Sequence, residues 1–410
     1  MPRASSDGSE SEFAAFVQIW IRIQIYRFRA DLDPDPDLQG NPGSHAKPHL
    51  GWGDRPPRPA MRKLIALTAL LLLPLALAAP AHALDEDDGD GTDTSIPDYV
   101  YAGPFEDNSQ IPDSPKRTTF KLAGKDTITA TTWYTAWNGR TLRLVASYPR
   151  YPQKQRLPLV HVFHGAGGRA VCNQTFGNAP GTYGFVVACI DGTGRYARGY
   201  SYGSPENLAD NAKIVQFLRA RLPGLRIDTN RQVAAGGSMG GQEALLFGVK
   251  YPAMAQTIVA MDAPIDMSKR FWKLPTIRQR ALFQECQGTP YFAPACFAER
   301  SPLTFAANLA NSNQTLIMYW SVNDEISPQE QMPTLARAIH AANPARKFLI
   351  RVGNWGHGGA WPPATRNNEW LADAGIAEDG VRADTKHPNG WRIEVDASTD
   401  LSDIPSYYPK

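Results

Sequence analysis

The chain has 410 residues, enough for one large domain or two smaller ones. Its 42 Lys and Arg against 40 Asp and Glu leave a formal charge of +2 with no long basic stripe, which removes electrostatic support for nucleic-acid binding. Ten tryptophans and 42% hydrophobic residues fit a globular protein with a sizeable core.

Residues 1–60 are rich in Pro, Asp, Arg and Ser, and their only apolar run, Phe16 to Tyr26, is broken by Arg22 and is too short to span a bilayer. They read as untranslated or disordered. From Met61 the chain runs MRKLIALTALLLLPLALAAPAHALDEDD. Arg62 and Lys63 form a positive start, a Leu/Ala run follows, and Ala81-His82-Ala83 is a small-x-small cleavage site, so residues 61–83 have the pattern of a secretory signal peptide. A signal belongs at the start of a chain, which makes Met61 the expected initiator. The competing reading is an N-terminal membrane anchor, but the run is short, carries Pro74 and ends in the cleavage pattern. The expectation is a secreted protein, extracellular or periplasmic, without a stable membrane anchor after cleavage. Residues 84–116 read as an acidic, solvated linker and N-terminal extension.

All four cysteines, Cys172, Cys189, Cys286 and Cys296, lie beyond the signal, and an even count in an exported chain suggests two disulfides with three possible pairings. Cys286 and Cys296 flank the loop QGTPYFAPA, so a local bridge there is the best choice, leaving Cys172 with Cys189. No spacing indicates a metal site, and no cofactor is expected.

In chain order, TATTWYTA (129–136) and TLRLVASYP (141–149), joined by WNGR, predict an antiparallel hairpin with Asn-Gly at its turn. LPLVHVFHG (157–165) and YGFVVACIDG (183–192) are nearly continuous apolar runs, as expected of strands buried on both faces. The spacing of Leu208, Ala212, Val215 and Leu218 predicts a helix over 207–222. A strand at 232–236, a helix at 240–250 and a strand at 257–261 follow. TLIMYWS (315–321) and KFLIRVG (347–353) predict strands separated by a helix at 328–342. Strands alternating with helices imply an α/β fold: a mostly parallel central sheet, helices on both faces and the hairpin as an antiparallel edge. The domain spans 117–377, residues 266–302 read as a small cap inserted over one end of the sheet, and 378–410 read as a C-terminal tail.

Gly236-Gly237-Ser238-Met239-Gly240 matches G-x-S-x-G between a buried strand and a helix, the context of a nucleophile elbow. A strained turn needs small neighbours, which the glycines at 236, 240 and 241 supply. The nucleophile needs a base. Among the five histidines after the signal, His161 lies in a buried strand, His340 in a helix, His387 in the tail and His164 in a glycine loop that it braces. His357, in GNWGHGG after the last strand, remains. Its carboxylate partner is expected to be Asp324, in SVNDEISP after TLIMYWS; Glu325 is its neighbouring rival, and Asp262 and Asp266 are the second choice. Oxyanion donors are expected from the backbone N–H of Met239 and of Ala166 in HGAGG.

These four signatures, HGAGG, GGSMGG, SVNDEISP and NWGHGG, make the chain from about Leu157 to Trp370 resemble the α/β-hydrolase superfamily. It is most similar to the secreted esterase, polyhydroxybutyrate-depolymerase-like and prolyl-oligopeptidase-like branches. The resemblance to oligopeptidases covers the catalytic domain alone, with no propeller, and no separate polymer-binding domain is evident. The resemblance implies a serine hydrolase acting through an acyl-enzyme. The leading expectation is a carboxylesterase for small-molecule or aryl esters. The alternatives are a serine peptidase of the prolyl-oligopeptidase type and an inactive extracellular binding protein on the same fold. Substrate contacts are expected from Trp355 and Trp361, which bracket His357, and from Tyr196 and Tyr200 in DGTGRYARGYSYGS, a loop that also carries Tyr202; the alternative reading, of equal weight, is core tryptophans and surface tyrosines.

Overall fold

The computed structural model describes residues 119–122, 126–150, 155–192, 194, 199–327, 330–357, 364–377, 391–402 and 404. Contacts divide the chain into Met1–Thr92 and Asp93–Lys410, and every described residue belongs to the second unit. The signal and linker expectations, together with Tyr196 and Trp361, lie outside the described residues.

The hairpin forms where Asn138-Gly139 sits between two alternating runs. Strand β2 (Thr127–Thr135) pairs antiparallel with β3 (Thr141–Pro149), from Thr135 opposite Thr141, and β1 (Thr119–Leu122) adds to its outer side. Gly139 takes φ 78°, the left-handed turn position that glycine adopts without a steric penalty. The fully buried strand β4 (Leu157–Phe163) is followed by the short helices α1 (Cys172–Phe176) and α2 (Ala179–Tyr183) and then by strand β5 (Val186–Ile190). Next come helices α3 (Pro205–Ala212) and α4 (Ile214–Arg221). They replace the single helix expected over 207–222. Pro205 and the Ser204 cap start α3 earlier, and the Asn211 amide bonds the Asn207 carbonyl, competing with the ladder just before the break at Lys213.

Strand β6 (Ile227–Gly237), helix α5 (Met239–Lys250), strand β7 (Thr257–Met261) and the cap helices α6 (Met267–Phe271), α7 (Thr276–Cys286) and α8 (Pro294–Glu299) follow. Then come α9 (Ala306–Asn311), β8 (Thr315–Ser321), α10 (Gln331–Ala342), β9 (Phe348–Gly353), α11 (Ala364–Asp373) and β10 (Trp391–Val395). The sheet runs β1-β2-β3-β5-β4-β6-β7-β8-β9-β10, parallel from β5 to β9 and antiparallel at both margins. The fold is therefore α/β, with a mostly parallel central sheet. Residues 391–395, placed in the tail by the sequence reading, pair with β9. The signal was present as alternation in WRIEV, but an edge strand so short is weak without its partner.

Strand alternation sends successive side chains to opposite helical layers. Leu159, His161 and Phe163 of β4 face one layer, where α3, α4, α5, α9 and α10 pack. Val160 and Val162 face the other, where Phe176 of α1 and Trp370 and Leu371 of α11 pack. Helix α11 is held by a buried charge cluster: Arg351 pairs with Asp373 and Glu369, and the Tyr319 hydroxyl donates to Asp373 at 3.0 Å. No helix among the described residues is long and apolar enough to cross a membrane.

Both disulfides join the pairs chosen from the sequence, Cys172–Cys189 and Cys286–Cys296. The first ties the start of α1 to β5; the second ties α7 to α8 in the cap. Each closes a short loop, of separation 17 and 10, so each stabilises by roughly 2–3 kcal/mol through the unfolded chain. Thiol titration of the denatured, unreduced protein is expected to find no free cysteine, and reduction is expected to lower the midpoint of thermal unfolding.

His161 lies wholly inside the core. Its Nε2 donates to Gln232 Oε1 at 2.9 Å, an orientation set because the Gln232 amide nitrogen donates to the Thr229 carbonyl. Burial holds the imidazole neutral, lowering its pKa from 6.5 to about 4, with the Gln232 contact acting weakly in the opposite direction. The unfolded chain therefore takes up this proton near pH 6.5 while the folded protein resists it to about pH 4. The stabilisation is complete above pH 6.5 and is lost as pH falls toward 4, on the order of 3 kcal/mol in all. Urea midpoints between pH 7 and 4.5 should fall more steeply in the native protein than in His161→Gln; identical slopes would exclude this origin.

Candidate active site

In the parallel order β5-β4-β6, the chain leaves β4 toward one side for β5 and returns to the other side for β6. Such a switch point opens a crevice at the carboxyl ends of the strands. The loop HGAGG follows β4 there and Ser238 follows β6. Asp262, Asp324 and His357 follow β7, β8 and β9 on the same edge.

Ser238 has φ 57° and ψ −128°, a strained conformation for a residue with a side chain. Its N–H bonds the Met261 carbonyl at 2.8 Å, and helix α5 starts immediately after it. The turn closes because its neighbours lack side chains. A Cβ on Gly240 would stand 2.0 Å from the Phe163 carbonyl oxygen, and one on Gly236 would stand 2.3 Å from the Gly240 carbonyl carbon. The N-terminus of α5 faces the serine with its free N–H groups, among them that of Met239.

His357 Nε2 lies 2.8 Å from Ser238 Oγ, and its Nδ1 lies 2.8 and 2.9 Å from the two carboxylate oxygens of Asp324. The chain order is Ser238, Asp324, His357. Asp324 is nearly buried, and its Oδ1 also accepts the Ile326 and Ser327 N–H groups, each at 2.8 Å. The Ser321 hydroxyl ties the two loops together: it donates to the Trp355 carbonyl and accepts the Asn323 N–H. The Asn323 amide adds a bond to the Asn354 carbonyl at 2.9 Å. Glu325 is exposed and Asp266 caps α6, accepting the Lys269 N–H. Asp262, at φ 47°, accepts the Ser321 N–H at 3.1 Å and the Trp355 indole N–H at 3.1 Å. The structure thus brings Asp324 to the imidazole and gives the other three carboxylates different surroundings.

Ala166 lines the same cleft as Ser238, Met239 and His357. The loop that carries it is shaped by His164, whose Nε2 accepts the Gly192 N–H at 2.9 Å, leaving Nδ1–H to donate to the Gly165 carbonyl at 2.8 Å. The Gly167 N–H donates to the Gly199 carbonyl at 2.7 Å, fastening this loop to the tyrosine-bearing one.

The aromatic expectations need correction. Trp355 is buried in the core beneath the site, bonded to Asp262, and does not reach the cleft. Gly353 makes room for its ring, since a Cβ there would overlap it. Tyr200 is half-buried with its hydroxyl against Gly167, and it is Tyr202 that lines the cleft. Tyr202 has φ 44° and is held there by Glu243, whose carboxylate accepts Ser201 Oγ and the Gly203 N–H. The sequence reading also missed Arg270 and Arg278 of the cap and Ser327 beside the acid, all three lining the cleft. No motif marks them; they converge only through the packing of the cap.

A hydroxyl, an imidazole and a carboxylate in series, beside a helix N-terminus, can generate an alkoxide nucleophile and return a proton to a leaving group. The strand order, with these loops gathered at the carboxyl ends of the strands, is that of the α/β-hydrolase fold. The model of the prolyl oligopeptidase family matches residues 180–374. Lysosomal Pro-X carboxypeptidase from Bos taurus is 41% identical over 151 residues, which are 36% of this chain and 26% of that protein. The chain spans about a quarter of the length of that curated relative. Among solved structures, an acylaminoacyl peptidase from Pyrococcus horikoshii is 13% identical with a TM-score of 0.49, covering 68% of this chain and 44% of its own. An S-formylglutathione hydrolase from Agrobacterium tumefaciens is 14% identical with a TM-score of 0.47, covering 64% and 99%.

Proposed function

We propose that this chain is a serine hydrolase that cleaves amide bonds in peptides through an acyl-enzyme. The observation that carries the chemistry is the continuous Ser238–His357–Asp324 hydrogen-bond series. The match of residues 180–374 to the prolyl oligopeptidase family favours peptides over the aryl esters expected from the sequence. The relative named for carboxypeptidase activity supports the same shift.

In this reading His357 Nε2 removes the Ser238 proton as Oγ attacks the scissile carbonyl. Asp324 holds Nδ1–H, fixes the tautomer and stabilises the imidazolium. The N–H groups of Met239 and Ala166 hold the tetrahedral oxyanion. The C–N bond breaks as Nε2–H protonates the leaving amine, and water then releases the acid by the same steps in reverse. Esters pass through the same sequence with a better leaving group, so they serve as probes without being the preferred substrate. Export through the leader at residues 61–83 is part of this reading, and the two disulfides support an oxidising compartment.

A fluorophosphonate probe is expected to label Ser238 in the full chain, and a panel of peptides and p-nitrophenyl esters is expected to show turnover of both with specificity for peptides. Absence of labelling would overturn the serine-hydrolase reading; turnover of esters with none of the peptides would return the preference to esters.

A further inference from the structure

The cleft above Ser238 carries more polar capacity than its described residues use. Arg270 of α6 and Arg278 of α7 both line it. Among the described residues, neither guanidinium makes an ion pair or a side-chain hydrogen bond. Arg270 is only 6% exposed, so its charge stands largely out of water without a partner. Two hydroxyls in the same cleft are in the same position: Tyr202 Oη and Ser327 Oγ are buried with no hydrogen-bond partner, in residues 2% and 5% exposed. No carboxylate lines this cleft among the described residues. Asp324, the acid behind it, is already engaged by His357 and by two backbone N–H groups.

Two like charges drawn together repel, the more so because Arg270 is buried, and burial lowers the Arg270 pKa, with Arg278 adding to the lowering and Tyr202 and Asp324 opposing it. A buried cation is tolerated when a counter-charge arrives with good geometry, and the guanidinium fork suits a planar carboxylate. The two arginines lie on different cap helices, whose packing is fixed by Phe271, Leu282 and Phe297 and by the Cys286–Cys296 bridge. Their convergence on the cleft is therefore built into the cap.

We propose that Arg270 and Arg278, with the hydroxyls of Tyr202 and Ser327, form a carboxylate-binding subsite of the catalytic cleft, so that the preferred substrate carries a carboxylate close to its scissile bond. The proposal rests on the hydrolase reading above and names the substrate class for it. The carboxylate comes either from the free C-terminus of a peptide, on the leaving side, or from an acidic side chain on the acyl side.

Two matched pairs separate these sources: an internally quenched peptide with a free C-terminal acid against its C-terminal amide, and p-nitrophenyl hemisuccinate against p-nitrophenyl butyrate. In the wild-type chain, kcat/KM is expected to favour the acid member of at least one pair by about tenfold or more, as a charge-assisted contact provides. Which pair shows the preference identifies the source. In Arg270→Met, Arg278→Met and the double variant the acid-to-neutral ratio should fall toward one, and Arg270→Lys should keep an intermediate ratio. Circular dichroism reports folding of each variant. Should the Met variants not fold, competitive inhibition of the wild type by glutarate but not by glutaramide decides the matter. A wild-type ratio at or below one in both pairs, or a ratio unchanged in the folded double variant, overturns the proposal. If the wild type neither labels with fluorophosphonate nor turns over any of the four substrates, it is the hydrolase reading that fails. Calorimetric binding of glutarate, weakened in the double variant, then still tests the arginine site.

Discussion

Ser238→Ala is expected to leave a folded protein that no longer turns over peptides or esters, with kcat reduced by about 10⁴ or more. The oxygen removed is the one that His357 Nε2 addresses at 2.8 Å. That oxygen stands at the strained turn between β6 and α5. The backbone around it has other supports. The Ser238 N–H bonds the Met261 carbonyl, its carbonyl accepts the Gly241 and Gln242 N–H groups, and the flanking glycines pack directly on the β4 and α5 backbones. Alanine keeps all of these, so its urea midpoint should stay near that of the wild type. Fluorophosphonate labelling should vanish in the same preparation. Turnover within tenfold of wild type in a folded variant would remove Ser238 from the role of nucleophile.

The parts of this site that a reader of the sequence can find are those made by one local segment each. The elbow is legible because strand, strained turn and helix are contiguous, and because glycine at 236 and 240 has a steric cause that the turn itself imposes. Asp324 and His357 are legible because each follows a buried strand closely, and a parallel sheet collects such loops on one edge. What was missed depends on packing between distant segments. Trp355 sits two residues from His357, yet its ring turns inward into the space left by Gly353 and bonds Asp262, 93 residues earlier in the chain. Tyr202 rather than Tyr200 faces the cleft because Glu243, buried in α5, holds the Ser201–Gly203 backbone. Arg270 and Arg278 read in the sequence as ordinary charges on short cap helices, and only the fold of the cap turns them toward Ser238. The strand at 391–395 was lost for a related reason: an edge strand of five residues takes its stability from β9, not from its own pattern.

The two aspartates that compete for His357 separate cleanly by their partners, and so should their variants. Asp324 accepts the Nδ1 proton, and with Nε2 turned toward Ser238 the imidazole is held in the tautomer that a general base requires. In Asp324→Asn the amide can still accept through its oxygen. Its nitrogen instead favours a proton-free Nδ1, which puts the hydrogen on Nε2 and blocks the abstraction. It also leaves the imidazolium without its counter-charge. A fall in kcat of about 10³ to 10⁴ at neutral pH is expected, with little change in KM. Among the described residues, the Nδ1 partner of the imidazole is Asp324 and not Asp262. Its carboxylate fixes the Ser321 N–H and the Trp355 indole, at φ 47° in a buried turn. In Asp262→Asn the oxygen can keep one of those bonds while the amide group faces an N–H donor, so the cost falls on stability, roughly 1–3 kcal/mol. Because Ser321 and Trp355 shape the loop that carries His357, a loss of kcat of up to about tenfold accompanies it, far short of losing the triad acid. Measuring kcat and the urea midpoint for both variants gives two opposite patterns: a folded, inactive Asp324→Asn and a destabilised, active Asp262→Asn. The reverse result would assign the acid to Asp262 and would require the His357 loop to rearrange during turnover.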